Sequence, residues 1–237
     1  MQPIDDLILT IVRGDIDGVR QLLVVDAKLA SQPNMLGTRP IHAARYCRHD
    51  GIALELVKHG VEIDGHLAAE LSLVEEVHEL VHDDAAFVAR FKNGATPLHG
   101  ACYWGAIEVA ELLLSHGADV EAVTQDGFLG IRPLGSAVAS PDIPNPSQSE
   151  EVVLTLIDLL LQYGADVNGR RRDGLTALHT AAWRGHQDVI QRLAAVGDDL
   201  RIRGYADGGR HAGQTALDLA IIQGQEDAAD LLRSLGG

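Results

Sequence analysis

Residues 77–84 read VHELVHDD, and within them His78, Glu79 and His82 make the spacing H-E-x-x-H. On a helix, positions i and i+4 share one face, so two imidazoles there could hold a zinc ion while the glutamate serves as general base. That chemistry also needs a third ligand, a cleft and an open coordination position. The longer form, H-E-x-x-H-x-x-G-x-x-H, is broken: Ala85 stands where it asks for glycine and Val88 where it asks for histidine. No Ser/His/Asp set pairs a nucleophile with a base. Cys47 and Cys102 make neither a C-x-x-C site nor a disulfide framework. The chain reads as having no catalytic residues, no metal and no cofactor.

Composition narrows the class further. Of 237 residues, 46% are hydrophobic and 22% charged, which is enough apolar material to fold and too much for disorder. Aromatic residues make up only 4%, while Leu, Ala and Gly abound, so many small helices packing through Leu and Ala fit better than one large core. The formal charge of −15 repels a phosphate backbone and argues against nucleic-acid binding. The opening stretch MQPIDDLILTIVRGD lacks the basic lead of a signal peptide, and no run approaches the roughly 18 apolar residues of a membrane span. A cytoplasmic, monomeric protein with no membrane contact is expected.

One pattern recurs. RPIHAA (Arg39–Ala44), TPLHGA (Thr96–Ala101), TALHTA (Thr176–Ala181) and TALDLA (Thr215–Ala220) each precede an apolar helical run. Several runs of this kind end in GADV or a relative, and Gly60, Gly117, Gly164 and Gly197 mark the endings. Gly164 and Gly197 lie 33 residues apart, as do His66 and His99, whereas Gly117 and Gly164 are separated by one such period plus an insertion of 14. Thr96 can cap a helix whose first position is Pro97, where a missing N–H costs nothing. Gly105 and Gly185 suit left-handed turns between paired helices. Ile107, Val109, Ala110, Leu113 and Leu114 form an apolar stripe that no helix pair can bury alone, so the units must stack.

The T-P-L-H-x-A motif at this period resembles the ankyrin repeat, over nearly the whole chain. The resemblance implies an all-α solenoid of stacked helix-turn-helix units with short β-hairpin or loop tips. It would form a single domain over 1–237, with units near 4–34, 35–65, 66–91, 92–123, 124–169 (with an insertion), 170–203 and 204–237. His42, His99 and His179 then occupy the position whose imidazole ties neighbouring units through backbone hydrogen bonds. Aligning Ser72 with the glycine between paired helices puts Val77, Leu80 and Val81 on the buried side. His78, Glu79 and His82 fall on the outward face, so the zinc-hydrolase reading is rejected.

The same resemblance implies a non-catalytic scaffold that binds another protein through a concave groove lined by first helices and loop tips. Rings fall where that groove would be: Tyr46, Tyr103, Trp104 and Trp183, the last beside Arg184. Interfaces are enriched in such anchors. Arg170, Arg171 and Arg172, with Arg201, Arg203 and Arg210, form a local basic patch that could receive a carboxylate, a phosphate or an acidic loop, or could pair with acids such as Asp173. Stretches 126–135, 140–150 and 204–213 are rich in Pro, Gly and Asn and read as loops. Phe128, Leu129 and Ile131 are apolar at one of these tips. An alternative function is a small-molecule or catalytic pocket walled by 126–135 and 204–213, with Tyr103, Trp104, Trp183 and Arg184 at its base and Cys102 and His211 among its working parts.

Overall fold

The first helices of the chain open on a proline or on a hydroxyl or carboxylate cap, that at Pro97 on both, and a left-handed residue closes several of them. The computed structural model describes residues 2–47, 49–125, 127, 129–139, 146–197, 199–206 and 209–237, the side chains of 146–149 excepted. Among these the chain is all-α, with fourteen α-helices. The tips are loops. One isolated antiparallel bridge, Lys92 with Ala95, is the extended pairing seen there in place of hairpins.

Two compact units divide the chain, Met1–Leu67 and Ala68–Gly237. In the first, α1 (Pro3–Val12) packs on α2 (Ile16–Val25) and on α3 (Pro40–Tyr46), and α4 (Asp50–Lys58) packs on α2 and α3. Leu7, Ile11, Leu23 and Leu56 are fully buried at its centre. The Asp15 carboxylate caps α2, accepting from the Gly18 amide at 2.9 Å. The short α5 (Gly65–Glu70) spans the division.

The second unit holds α6 (Val74–Asp83), α7 (Pro97–Trp104), α8 (Ile107–Ser115), α9 (Pro133–Val138), α10 (Pro146–Gln162), α11 (Ala177–Arg184), α12 (Gln187–Ala195), α13 (Ala216–Ile222) and α14 (Glu226–Ser234). First helices α7, α9, α11 and α13 pack side by side in order, and so do second helices α6, α8, α10, α12 and α14. Ala101, Ala181 and Ala220 are wholly buried, and their small size allows the first helices to approach closely. Of the α8 stripe, Val109, Ala110, Leu113 and Leu114 are buried and Ile107 is half-buried. Gly105 and Gly185 turn between paired helices at φ 77° and 79°, and Ser72 takes the same left-handed turn at φ 58°, as its alignment requires.

Of the predicted 140–150 loop, 140–145 lie outside the described residues, and the remainder needs correction, since helix α10 begins at Pro146 and runs for 17 residues. Proline disfavours helix interiors but suits the first helical position, so Pro146 starts this helix rather than prolonging the loop.

The motif histidines join helix to helix. The Thr96 amide donates to His99 Nδ1 at 3.3 Å, and Thr96 Oγ1 lies 2.7 Å from the same nitrogen. His99 Nε2 then donates to the Ile131 carbonyl of the next tip at 3.0 Å. His179 repeats the arrangement with Thr176 and with the Gln214 carbonyl, at 3.3 Å. Both rings are almost wholly buried. In α13, Asp218 keeps the acceptor half of this role, taking the Thr215 amide at 2.9 Å. His42 is exposed, unlike the buried His99 and His179, and its helix starts at Arg39 where theirs start at threonine.

Burial pushes the His179 imidazole down to about 4 from an ordinary value of 6.5, only partly countered by the Gln214 and Ile202 carbonyls. As pH falls, the unfolded chain therefore takes up this proton first. Above pH 6.5 neither state carries it and stability does not change. Between 6.5 and 4 stability falls, and below 4 the loss saturates because the folded ring is protonated too. The full loss is roughly 3 kcal/mol. Urea titrations at several pH values should show that His179→Gln is less stable at neutral pH but declines less steeply between pH 6.5 and 4 than the parent. Parallel declines would remove this proton linkage.

Candidate functional site

The H-E-x-x-H segment lies on α6, where Val77 and Val81 are buried, Leu80 is half-buried, and His78, Glu79 and His82 are exposed. The two imidazoles share the solvent face of a second helix. Among the described residues no group of three His, Cys, Asp or Glu side chains is placed to hold a metal ion.

The predicted rings of the second unit stand at the ends of its first helices α7 and α11. Tyr103 and Trp104 end α7 and pack edge to face, with ring centroids 5.2 Å apart and planes at 88°. Both are half-buried, so they stand as a locked pair rather than as two freely exposed rings. Trp183, near the end of α11, keeps 42% of its surface exposed while its neighbours Ala181 and Ala182 are fully buried. Arg184 leans the other way, donating through Nη2 to the Ala139 carbonyl at 3.1 Å, just past the end of α9. Tyr46, in the first unit, is 60% exposed at the end of α3.

The predicted arginine patch resolves into separate roles. Arg171 is matched to Asp173 by two hydrogen bonds, of 3.1 and 2.6 Å. Arg170 donates to the Arg203 carbonyl at 3.1 Å and sets its guanidinium over the Tyr205 ring, 5.4 Å from the centroid. Arg172 is exposed. A feature not anticipated is a ladder: Arg132 donates to the Arg170 carbonyl, Arg170 to that of Arg203, and Arg203 to that of Gly213 at 2.7 Å. The first two guanidiniums each tie one tip to the next, and the third closes the last tip on itself. The 33-residue spacing of Arg170 and Arg203 carried this signal in the sequence.

Phe128 lies outside the described residues. The cavity beside the 126–135 tip is lined by Ile131, Arg132, Gly135, Asp166, Thr176 and neighbours, takes no lining from 204–213, and encloses about 20 Å3. That is room for a single water. Neither the tryptophans nor Cys102 reach it. Cys102 is fully enclosed, and burial pushes its thiol well above the ordinary range, so the side chain is inert where the alternative reading needed it reactive.

Comparison with known proteins is unambiguous about the architecture. A family model for ankyrin repeats in three copies matches residues 148–237, and a single ankyrin repeat model matches 93–125. The chain belongs to the ankyrin-repeat family. A mouse protein, Serine/threonine-protein kinase TNNI3K, is 29% identical over 144 residues, covering 59% of this chain and 16% of that protein. Zebrafish Ankyrin repeat and SOCS box protein 11 is 37% identical over 106 residues, 41% of this chain and 36% of its own length. Bovine Ankyrin repeat domain-containing protein 49 is 43% identical over 58 residues, 24% of each chain. The chain thus spans only a minor part of each relative. Ankyrin repeats mediate protein–protein interaction, and ankyrin-repeat proteins are in general non-catalytic. Among the described residues no helix is long and apolar enough to cross a membrane.

The α6 histidines yield a direct test. The ankyrin register predicts that His78→Ala combined with His82→Ala leaves the melting temperature unchanged, and that the purified protein carries no stoichiometric zinc by elemental analysis. Bound zinc lost in the double variant would restore the metalloenzyme reading.

Proposed function

We propose that this chain is a non-catalytic scaffold that grips a partner protein through the first-helix face of its second unit. Tyr103, Trp104, Trp183 and Arg184 form the centre of that face. The observation that carries the reading is Trp183, a large ring left 42% exposed on a helix whose adjacent alanines are sealed. Holding an indole in water forfeits much of its burial energy unless a partner covers it. The edge-to-face lock of Tyr103 on Trp104 adds to this, because rings already fixed lose little side-chain entropy on binding. Exposed Tyr46 in the first unit has the same chemistry and is proposed as a further contact.

Charge favours protein over nucleic acid as the partner, since a chain of formal charge −15 repels a phosphate backbone. We place the whole of 1–237 in one functional domain, monomeric and cytoplasmic. Its histidine ties and arginine ladder hold the tips of the second unit in register, so the face is presented rigidly.

Trp104→Ala with Trp183→Ala should abolish capture of the native partner in a pull-down, a loss of about 100-fold or more in affinity for two central anchors. Helical content by circular dichroism should be unchanged. Capture at parental strength would move the interface off this face.

A further inference from the structure

The tips of the second unit form a platform of their own. The Thr124 amide donates to Ile131, that of Arg172 to Leu129, and that of Tyr205 to Asp173, at 2.9, 2.8 and 2.9 Å. Within the last tip, Gly204 donates to Gln214 at 3.0 Å and Gly213 to Gly204 at 3.1 Å. The close fit at Gly174 shows how firmly Tyr205 is seated. That residue sits at φ 84°, and a Cβ there would come within 2.5 Å of the Tyr205 amide nitrogen. Backbone that tight leaves no room for any residue but glycine.

What the described residues of this platform display is cationic and apolar. Val123, Leu129 and Tyr205 are 36%, 38% and 44% exposed. Val123 and Arg172 meet over Gly130, with side-chain atoms 3.2 and 2.9 Å from where its Cβ would stand. Arg170 lies over Tyr205, and the Arg203 side chain is 65% exposed. Asp173 is spent on Arg171, and Asp218 makes a looser ion pair with Arg203 at 3.7 Å, which leaves Arg170 and Arg172 as cations facing outward. Asp126 and Asp207 belong to the same tips by sequence and lie outside the described residues.

We propose that this platform is a second docking surface, distinct from the ring-bearing helix face, for a partner segment that carries neighbouring carboxylates beside an aliphatic side chain. It rests on the scaffold reading above. Guanidinium forks bind carboxylates in a bidentate manner. Arg170 is already oriented by its bond to the Arg203 carbonyl and by the ring beneath it, so little freedom remains to be lost. Val123 and Leu129 supply the apolar seat beside the charges. On a chain of formal charge −15, a cationic tip is where an acidic segment escapes repulsion, which fixes its register.

The test uses the full chain and fluorescence anisotropy with labelled peptides at low salt: Glu-Glu-Leu-Glu-Glu, its all-glutamine counterpart Gln-Gln-Leu-Gln-Gln, and Glu-Glu-Gly-Glu-Glu. The first should bind saturably, and each of the others at least about tenfold more weakly. Arg172→Glu should weaken the first peptide by about tenfold with no change in melting temperature, since the side chain is exposed. Trp104→Ala with Trp183→Ala should leave peptide binding intact. Equal binding of the glutamine peptide, displacement by inorganic phosphate as effective as by unlabelled peptide, or loss of peptide binding in the tryptophan variant would each overturn the proposal. Absent peptide binding with tryptophan-dependent capture preserved removes the platform alone, whereas loss of both removes the scaffold reading.

Discussion

No helix pair in the second unit can bury its own apolar stripe, and the rest of the structure follows from that constraint. Helices α7, α8, α11 and α12 are eight or nine residues long, too short to persist alone in water. Yet Leu98, Leu113, Leu178, Ile190 and Leu193 are almost completely buried. The covering surface comes from the helices before and after. Stability is therefore shared along the stack, as in other repeat proteins, and a single pair has no independent fold.

Stacking alone would allow neighbouring pairs to slide, and the buried histidines remove that freedom. One imidazole accepts from the threonine that starts its own helix and donates to the carbonyl of the following tip. Only the neutral ring can do both, and burial holds His179 in that form. The arginine ladder repeats the logic at the tips with side chains that never lose their charge. Helices and tips are thus tied by one kind of bond, side chain to backbone carbonyl, with Ile131 and Gln214 accepting from the histidines and Arg170, Arg203 and Gly213 from the arginines. In the proposed reading, recognition then falls to the rings at the ends of α7 and α11 and to the arginines and aliphatics of the loops.

Much of this was legible in the residues. The Thr-Pro-Leu-His start, the glycine stops and the period each carry a local physical meaning, and together they fix which face of every helix is buried. The Ser72 alignment is the sharpest case, because it places a non-glycine residue in a left-handed turn, and that turn is present. It also disposes of H-E-x-x-H, whose spacing is compatible with any helix but whose orientation only the register reveals. Other features were not legible. Proline and asparagine in 140–150 signal an interruption without saying where the next helix starts. The exposure of His42, in a motif that buries His99 and His179, is set by packing that the motif does not state. The complete enclosure of Cys102 depends on packing that its place in the motif does not state. The split of the arginine patch into paired, stacked and exposed members depends on distances between tips that no linear spacing supplies.

The claim that neighbours, rather than pairs, carry the stability is open to direct measurement. Leu178 on α11 is 1% exposed, and Leu178→Ala should cost about 2–5 kcal/mol. Native-state hydrogen exchange on that variant, read helix by helix, should show faster opening in α9 and α13 as well as in α11 and α12. Acceleration confined to α11 and α12, with both flanking pairs protected as before, would mean that each pair stands alone.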